Sequence, residues 1–511
     1  MTFIKKLVPW FKMAIAIVFL LSLALHFWGL SRFNSLVFDE VYYVKYAYNY
    51  LTNTPLFDAH PPLGKYMIAI AISIGNYFHF GQDTVNNYVG VQLSPLSYRW
   101  MNALVGSLLP LIVGAIAYQL SRRPSYALIA ALFTTCDGLL LVESRYALIN
   151  IYLVFFGILG QLFFLLALQQ KAFSRWVLLT ASGICFGASA GVKWNGLAFL
   201  LGIYLIWICA WVMRWAQRGN PTPNPSPSTG RGARAEGQRG RGREVEWGRV
   251  TDSQSPLQNL TRINIFQIVF YLGVIPAIVY YLIWIPHLQI NAKTGFWELH
   301  QQMLGFHERM QSGPKVHPYC SRWYTWPLML RPIVYFYETA TSKSEPIPSL
   351  PPLPAGAEKA IYDVHAMGNP ALWWLGAIAI LVLVAELGKR VWVWANISGN
   401  GEPNQVYFPQ QKELWILLYV VLNYAANFLP WIKVTRCTFI YLYMGATIFT
   451  FLGLAWLVER WLHSPKPRLR MMGVTAIFLI LLAFSFWLPV YLGLPLSPQA
   501  FKIRMWFPSW I

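Results

Sequence analysis

Long apolar stretches recur along the chain and are separated by short polar segments or by longer loops. Most of these stretches have about the 17–25 residues that a helix needs to cross the hydrocarbon core of a bilayer. The pattern predicts eleven membrane-spanning helices, at about 13–30, 101–120, 125–142, 148–168, 176–192, 195–213, 264–286, 371–394, 413–431, 437–458 and 471–492. The sequence therefore predicts an all-α polytopic membrane protein. A miscount at the close pair 176–192 and 195–213 would reverse the orientation of every later helix.

The composition agrees with this prediction and orients the chain. Hydrophobic residues make up 56% of the 511 residues and charged residues only 12%, whereas a soluble domain carries roughly a quarter charged residues. The net charge of +20 could indicate a nucleic-acid partner. Basic residues in short loops such as 121–124 instead fit the excess of Lys and Arg on the cytoplasmic side of a membrane. We therefore expect a cytoplasmic N-terminus, two long outer loops at 31–100 and 287–370, and no nucleic-acid partner.

The chain divides into three parts by composition. The N-terminal transmembrane half, 1–213, and the C-terminal half, 263–511, each contain one of the outer loops. Between them lies a linker at 214–262, whose residues 219–256 are rich in Pro, Gly, Ser and Arg. Such a composition cannot bury enough apolar surface to fold. We expect a solvated, disordered cytoplasmic linker, with contact to RNA or anionic lipid as the less favoured alternative.

Two adjacent carboxylates, Asp39 and Glu40, follow the first predicted span. His60 and Lys65 come just before a short apolar stretch at 66–80, which predicts an interfacial helix. Such a helix would hold His60 and Lys65 at the membrane surface near Asp39. The chain has no Asp-x-Asp pair, no phosphate-cradling Gly loop and no dinucleotide-binding fingerprint. The pattern indicates a reaction centre at the outer surface, and the alternative for the two carboxylates is a solvated pair at a helix end.

Cysteines and histidines give no sign of a metal centre. The five cysteines, at 136, 185, 209, 320 and 437, lie mostly in apolar stretches, which predicts small core residues and neither a disulfide framework nor a zinc cluster. No His-Glu-x-x-His spacing occurs, and His300 and His307 lie two helical turns apart without an obvious third ligand. We expect no required metal or other cofactor, although a divalent metal is the alternative.

Residues 33–66, with Phe38-Asp39-Glu40-Val41-Tyr42-Tyr43 and His60-Pro61-Pro62-Leu63-Gly64-Lys65, resemble the first outer loop of the protein O-mannosyltransferase family. Further blocks in order resemble that family's motifs, namely Ser144–Ile149, Gly191–Gly196, His317–Leu328 followed by Arg331-Pro332, Gly368–Pro370, Arg436–Tyr443 and Arg504–Trp506. Asn150 departs from the pattern, because the resemblance leads us to expect an acidic residue there.

The resemblance implies the GT-C fold of integral-membrane glycosyltransferases. It also implies transfer of mannose from a polyprenyl-phosphate carrier to Ser or Thr hydroxyls of exported proteins on the non-cytoplasmic face. Eukaryotic members of the family insert a β-trefoil domain for which the loop at 287–370 is too short. The resemblance therefore implies a bacterial-type member in the plasma membrane, surrounded by membrane lipids.

The resemblance also suggests roles for individual residues. Asp39 would be the general base that takes the proton of the acceptor hydroxyl, which is a poor nucleophile at neutral pH. Glu40 would orient the acceptor peptide or tune the pKa of Asp39. Direct displacement would invert the anomeric centre and release a phosphate, whose charge requires cations nearby.

Two sets of residues would surround this base. The candidate phosphate-binding residues are Lys65, Arg145, Lys193, His317, Arg322, Arg331 and Arg436, and the candidate acceptor- or sugar-binding residues are His60, Trp323, Tyr324 and Trp326. The alternatives are interfacial roles, namely snorkelling for the arginines, an anchor for Lys193 and an aromatic belt for the tryptophans and tyrosine. In the third predicted span, Asp137 either faces the cavity or pairs with an Arg for packing, and Glu143 would neutralise Arg145.

Two rival functions remain at this stage. A glycosyltransferase of the same fold could act on a lipid or glycan acceptor, because the acceptor groove is not readable from the motifs. A transporter for a lipid-linked sugar is the less favoured alternative, since it would carry charges along the midplane of several spans. Here the charged motifs collect at one membrane face.

Overall fold

The computed structural model describes residues 9–218, 256–343, 347–399 and 411–511, and these residues are mostly helical. Most of the predicted disordered linker 214–262, namely 219–255, lies outside the described residues. The prediction of disorder was wrong for its two ends, because one helix extends to Arg218 and another spans Pro256–Leu260.

The helices follow one another along the chain in both halves. In order they are α1 (Pro9–Phe27), α2 (Glu40–Leu51), α3 (Leu63–Tyr77), α4 (Pro95–Ser121), α5 (Pro124–Thr135), α6 (Gly138–Arg145), α7 (Asn150–Ala167), α8 (Ala172–Val192), α9 (Leu197–Arg218), α10 (Pro256–Leu260), α11 (Ile265–Val269), α12 (Ile275–Ile290), α13 (Phe296–Arg309), α14 (Pro370–Gly399), α15 (Gln411–Phe428), α16 (Met444–Leu462), α17 (Pro467–Leu492) and α18 (Pro498–Lys502). A π-helical turn, Phe270–Val274, makes α11 and α12 continuous. Within the described residues, ten helices are long and apolar enough to cross a membrane, and the count is eleven if the bent pair of α5 and α6 forms one span. Each predicted span coincides with one of these segments, so the prediction of a polytopic helical protein is confirmed.

The third predicted span differs from expectation because it is broken. α5 and α6 meet at an angle of 58°. Asp137 caps α6 at the break, since its Oδ1 accepts a hydrogen bond from the Leu140 N–H at 2.8 Å. Its Oδ2 accepts from the Trp373 indole at 2.6 Å. Both oxygens of Asp137 therefore accept hydrogen bonds that hold the fold, and of the two alternatives for this residue, pairing with an arginine does not fit these contacts.

α16 lies at the centre of the helical bundle. The span Ile440–Leu462 is buried over 94% of its most apolar stretch, whereas Pro467–Leu492 is buried over only 28%. α16 packs against α5, α14, α15 and α17. The exposed apolar side chains of α17, such as Val474 and Phe478, suit contact with lipid tails.

The two predicted outer loops contain regular structure. The first contains α2 and α3, so the predicted short helix near 66–80 is present at Leu63–Tyr77. Gly64 lets α3 pack closely, because a Cβ atom there would lie 2.6 Å from the Cβ of Ile149. The second contains α13 and an antiparallel hairpin of β1 (Ile333–Thr341) and β2 (Lys359–Ala366). The sequence pattern did not predict this small sheet.

A disulfide bond joins the second outer loop to the segment before α16. Cys320 and Cys437 are bonded, with their Cα atoms 5.2 Å apart. Next to this bond, Ser321 N–H donates to the Thr438 carbonyl at 2.8 Å. The interpretation of all five cysteines as unpaired core residues was therefore wrong for this pair, while the other three are free thiols.

Candidate active site

The turn before α2 leaves the carboxylate of Asp39 free. Phe38 has a left-handed backbone with φ +53°, and Asp39 is the N-cap residue of α2, yet its side chain makes no capping hydrogen bond. Asp39 is partly exposed, and among the described residues no hydrogen bond or ion pair engages its carboxylate. Burial raises the pKa of this carboxyl to about 6, and the nearby Lys193 ammonium opposes the rise. A free carboxylate with a pKa near neutrality suits a general base.

Glu40, in contrast, is completely engaged. Its Oε1 accepts hydrogen bonds from Arg99 Nε at 2.9 Å and from the Ala147 N–H at 2.7 Å. Its Oε2 accepts from Arg99 Nη2 and from the Val37 N–H, both at 2.7 Å. Glu40 and Arg99 are both fully buried. The expectation that Glu40 orients the acceptor does not fit these contacts, because a fully buried carboxylate with four donors has no surface for an acceptor.

Lys193 brings a positive charge to the neighbourhood of Asp39. It follows α8 directly, with an extended backbone, in the short connection between two spans. Its Nζ lies 5.3 Å from the centroid of the Tyr441 ring, in cation–π geometry. Burial lowers the pKa of Lys193 to about 8, and the Asp39 and Glu143 carboxylates oppose this change. Near neutral pH, Lys193 therefore keeps most of its charge.

Arg436 is a second cation in this region. It lies just before Cys437 of the disulfide and is partly exposed. Its Nη1 donates to the Cys437 carbonyl at 3.1 Å, and within the described part of the chain its other guanidinium donors have no protein partner. Its positive charge adds to the effect of burial in lowering the pKa of Lys193. Arg436 thus presents a planar set of donors suited to phosphate oxygens.

His60 lies in the same region, and Lys65 binds its backbone. Lys65 is nearly fully buried, forms an ion pair with Asp58 and donates to the His60 carbonyl at 2.8 Å. The rings of His60 and His307 lie 5.6 Å apart, and His307 Nε2 is 3.0 Å from the Ala59 carbonyl. Burial, together with the surrounding positive charges, lowers the pKa of His60 well below its usual value. His60 is therefore neutral, and Lys65 holds its backbone instead of offering a free cation.

Arg145 is bound to the end of α1. Its Nη1 donates to the carbonyls of Leu25 at 2.7 Å and His26 at 3.2 Å, at the end of α1. Its side chain is buried. These contacts favour a role in closing the C-terminal end of α1, where a cation also meets the negative end of the helix dipole.

Arg331 is also occupied by the protein. Its Nη1 donates to the Ser509 carbonyl at 2.7 Å and its Nε to the Pro318 carbonyl at 3.1 Å. Its guanidinium also lies 5.2 Å from the centroid of the Tyr319 ring. The contacts of Arg331 thus fasten residues near the end of the chain to the second outer loop.

The remaining predicted residues of the second outer loop differ in exposure. Tyr324 is 52% exposed and accepts a hydrogen bond from the exposed Arg322 at 3.3 Å. Trp323 and His317 are partly exposed. Trp326 is fully buried and donates to the Ser321 hydroxyl at 2.9 Å, so it is a core residue and not a sugar-binding surface.

Sequence reasoning missed a buried network behind Asp39. The Tyr335 hydroxyl donates to Glu143, which also accepts from Asn150 Nδ2 at 3.1 Å. We expected Glu143 to neutralise Arg145, but its carboxylate binds Tyr335 and Asn150 instead. Asn150, where we expected an acidic residue, instead supplies a donor. The motif around Arg145 drew attention to Glu143, but nothing in the sequence indicated that Tyr335 is its partner.

Metal ligands are not clustered in the described ranges. No group of three His, Cys, Asp or Glu side chains among those residues could hold a metal ion. The expectation that no metal is required stays a prediction.

Comparisons with known proteins find a family model over each half of the chain. Residues 16–291 match the family model described as dolichyl-phosphate-mannose-protein mannosyltransferase, and residues 292–510 match the C-terminal four-transmembrane region of protein-O-mannosyltransferase. The chain is 25% identical to the polyprenol-phosphate-mannose–protein mannosyltransferase of Mycobacterium tuberculosis (strain CDC 1551 / Oshkosh), over 93% of this chain and 86% of that protein. It is 24% identical to the protein of the same name from Corynebacterium glutamicum, over 97% and 92%.

A solved structure shares the fold. One chain of the S. cerevisiae protein O-mannosyltransferase Pmt1-Pmt2 complex, bound to the sugar donor, matches with a TM-score of 0.73 at 14% identity. The match covers 99% of this chain and 93% of that one. The two family models together span almost the whole sequence, and the spans and the outer loops follow the same fold. The chain therefore belongs to the protein-O-mannosyltransferase family and is a membrane-embedded glycosyltransferase of the GT-C fold.

Proposed function

We propose that this protein transfers mannose from a polyprenyl-phosphate-mannose donor to Ser and Thr hydroxyls of exported proteins, with Asp39 as the general base. The observation that carries the proposal is the free carboxylate of Asp39 beside Lys193 and Arg436. The names of the relatives, polyprenol-phosphate-mannose–protein mannosyltransferase, support the donor and the protein acceptor.

The chemical step needs one base and positive charge. Asp39 takes the proton of the acceptor hydroxyl as its oxygen attacks the anomeric carbon of mannose. The bond from that carbon to the phosphate oxygen breaks, and the polyprenyl phosphate leaves with the electron pair. Lys193 and Arg436 stabilise the negative charge that develops on this leaving group. A single displacement inverts the anomeric centre, so a β-linked donor gives an α-mannoside.

The other predicted cations divide into two groups in this proposal. His317 and Arg322 lie on the segment that the disulfide ties to Arg436. In this proposal Arg322 adds positive charge toward the lipid carrier, and His317 adds a neutral ring, because burial lowers its pKa. Lys65, Arg145 and Arg331 act through the fold in this proposal, because protein oxygens bind the Lys65 Nζ and the Nη1 atoms of both arginines.

The proposed acceptor side consists of His60 and of exposed rings in the second outer loop. His60 is neutral, so it can accept or donate a hydrogen bond to a sugar or peptide without adding charge. Tyr324 and Trp323 offer partly exposed rings for stacking on the sugar or the acceptor chain.

The reaction takes place on the outer face of a bacterial plasma membrane in this proposal. The Lys and Arg residues of the short loops favour a cytoplasmic N-terminus, which puts the loops containing Asp39 and Arg436 outside. The disulfide between Cys320 and Cys437 supports the same orientation, because disulfides persist in oxidising compartments.

Transfer by the purified full-length chain tests the proposal. The assay supplies radiolabelled polyprenyl-phosphate-mannose and a Ser/Thr-rich peptide in detergent micelles, and compares wild type with Asp39→Asn. Asp83→Asn is the matched control, because Asp83 is an exposed carboxylate of the same outer loop. We expect peptide labelling by wild type and by Asp83→Asn, and none above background by Asp39→Asn.

Other results would change the proposal in distinct ways. Labelling of a lipid or glycan, with none of the peptide, would replace the protein acceptor. Full activity of Asp39→Asn would remove Asp39 as the base. A β-linked product by NMR would contradict an inverting step on a β-linked donor.

A further inference from the structure

The residue before Asp39 adopts a backbone conformation that its side chain disfavours. Phe38 has φ +53°, in the left-handed region where bulky residues are uncommon. This conformation sets the direction in which the chain enters α2, whose N-cap residue is Asp39. Something outside the turn must therefore hold Phe38, since the local preference of the chain favours negative φ.

Tyr335 supplies that contact. Its ring stacks on the ring of Phe38 with centroids 4.1 Å apart and planes 8° from parallel. Only 5% of Tyr335 is exposed. Its hydroxyl donates to the buried Glu143, so the ring is fixed at its far end as well. Phe38 is thus held by a ring that is fixed by packing and by a hydrogen bond.

The position of Tyr335 in the hairpin explains how it reaches Phe38. The register of β1 and β2 pairs Val334 with His365 and Phe336 with Val364, so Tyr335 falls at an irregularity with no partner. Such bulges redirect a side chain and occur next to active sites. The neighbouring Phe336 packs on Phe33 instead, with ring centroids 4.4 Å apart.

The opposite side of Asp39 is held independently. Glu40 is fixed by Arg99, as described above, and its Oε2 also accepts from the Val37 N–H at 2.7 Å. The residues before and after Asp39 are thus both clamped, while the Asp39 carboxylate itself is free. This arrangement fixes the backbone of Asp39, and so the direction of its Cα–Cβ bond, without using the carboxylate oxygens, which leaves them available to accept a proton.

We propose that Tyr335 is a positioning residue for the reaction: its stack on Phe38 and its bond to Glu143 hold the left-handed turn that aims Asp39 at the acceptor hydroxyl. The inference rests on the proposed function, because it assumes that Asp39 is the base. Without Tyr335, Phe38 relaxes to negative φ and the carboxylate moves. Among the described residues no hydrogen bond, ion pair or ring contact joins Tyr335 to Lys193 or Arg436, so we expect donor binding to be retained.

A comparison of two neighbouring ring contacts tests this proposal. Tyr335→Leu removes the contact to Phe38, and the matched control Phe336→Leu removes the contact to Phe33 from the same strand. We expect Tyr335→Leu to lower kcat by about 10- to 100-fold, the scale expected for a misplaced reacting group, with the donor KM unchanged. Phe336→Leu should keep the kcat of wild type, and its thermal-unfolding midpoint should match that of Tyr335→Leu. Tyr335→Phe retains the stack and should recover most of the loss.

A double-mutant cycle locates the effect in the stack. If Tyr335 acts through Phe38, the double variant Phe38→Leu/Tyr335→Leu should have a kcat no lower than the worse single variant. Additive losses of kcat in the double variant would overturn the proposal. Equal losses of kcat in Tyr335→Leu and Phe336→Leu would also overturn it, and so would a fall in the kcat of Tyr335→Leu that parallels the fall in its unfolding midpoint. Asp39→Asn, measured alongside, distinguishes an error in the proposed base from an error in the proposed role of Tyr335. If Asp39→Asn is active, the proposed base is wrong; if it is inactive and Tyr335→Leu resembles the control, only the role of Tyr335 is wrong.

Discussion

Arg99 holds Glu40 by two parallel hydrogen bonds, Nε to Oε1 at 2.9 Å and Nη2 to Oε2 at 2.7 Å, and both side chains are fully buried. Removing one partner of such a pair leaves the other charge unpaired in the interior. Glu40→Gln should therefore lower the free energy of unfolding by about 3–5 kcal/mol. The fall in the thermal-unfolding midpoint in detergent micelles measures this change.

The control for this prediction is a more exposed ion pair. Glu386 pairs with Arg390 at 2.8 Å and with Arg460 at 3.1 Å, and all three side chains are partly exposed. Glu386→Gln should change the free energy of unfolding by about 1 kcal/mol or less. If Glu40→Gln kept the midpoint of wild type but lost turnover, Glu40 would belong to the acceptor site, as the sequence suggested.

The dependence of activity on pH follows from Asp39 and Lys193. A base must be deprotonated, and the pKa of Asp39 is raised by burial to about 6, so kcat/KM should fall as the pH drops through about 6. Lys193 must be charged, and burial lowers its pKa to about 8, so kcat/KM should also fall as the pH rises through about 8. A bell-shaped profile with a maximum near pH 7 is the expected result.

The basic limb of this profile can be assigned by substitution. Lys193→Arg keeps its charge at higher pH, because a guanidinium does not lose its proton in this range. The fall above pH 8 should disappear in this variant, while the fall near pH 6 stays. An acidic limb near the ordinary carboxyl value of 3.8 would instead contradict the raised pKa of Asp39.

The membrane-spanning helices were predictable because each is specified by its own composition. An apolar stretch of span length has few alternatives to a transmembrane helix, and all eleven predicted stretches are helical. The break in the third span was not predictable in the same way. It depends on Asp137 capping α6 and bonding Trp373, which lies 236 residues further along the chain.

The candidate site shows the same division between local and long-range information. The motifs brought Asp39, His60, Lys193 and Arg436 to attention, and the structure places these four in one region. Asp39 and Glu40 are adjacent carboxylates whose roles the sequence alone does not distinguish. Their roles separate only because Arg99, 59 residues away, binds one of them.

Tyr335 shows why the remaining residues around the candidate site could not be predicted from the sequence. An aromatic residue in a strand has no distinctive sequence signal, because aromatic residues are common in strands. Its importance comes from the irregular register that turns it toward Phe38 and from the distant Glu143, 192 residues earlier in the chain. Contacts of this kind are fixed by the folded topology and not by a local pattern.

Donor binding should depend on the two cations with free donors. Arg436→Met and Lys193→Met each remove a positive charge from the proposed site of the leaving phosphate. Each should lower kcat/KM for the lipid-linked donor by about 100-fold, the lower end of the scale for losing one such donor. Steady-state kinetics with varied donor at a saturating peptide concentration measure the effect.

Arg331→Met is the matched control for the cation variants. Its guanidinium is occupied by the Ser509 and Pro318 carbonyls, so it should change the unfolding midpoint and leave kcat/KM per folded enzyme near that of wild type. Equal losses in Arg331→Met and Arg436→Met would mean that Arg436 also acts through the fold. A loss in Arg331→Met alone would move the donor site toward the end of the chain.

The disulfide should hold Arg436 in place for this role. Cys320 and Cys437 close a long loop, with a sequence separation of 117, and Arg436 directly precedes one of them. Removing such a bond typically costs about 2–4 kcal/mol of stability. Cys437→Ser should therefore lower the unfolding midpoint and raise the donor KM, because the guanidinium of Arg436 loses its fixed position. Cys209→Ser, which replaces a free and partly buried thiol, is the control and should change neither quantity.

Chemical reduction separates the disulfide from the side-chain substitution itself. Treating the purified wild-type protein with dithiothreitol should reproduce the rise in donor KM, and it should leave the donor KM of Cys437→Ser unchanged. In intact cells, a membrane-impermeant thiol reagent should label Cys320 and Cys437 only after reduction, since the pair faces outward in the proposed orientation. Labelling of this pair without reduction would show that the bond does not form, and the fixed position of Arg436 would then need another source.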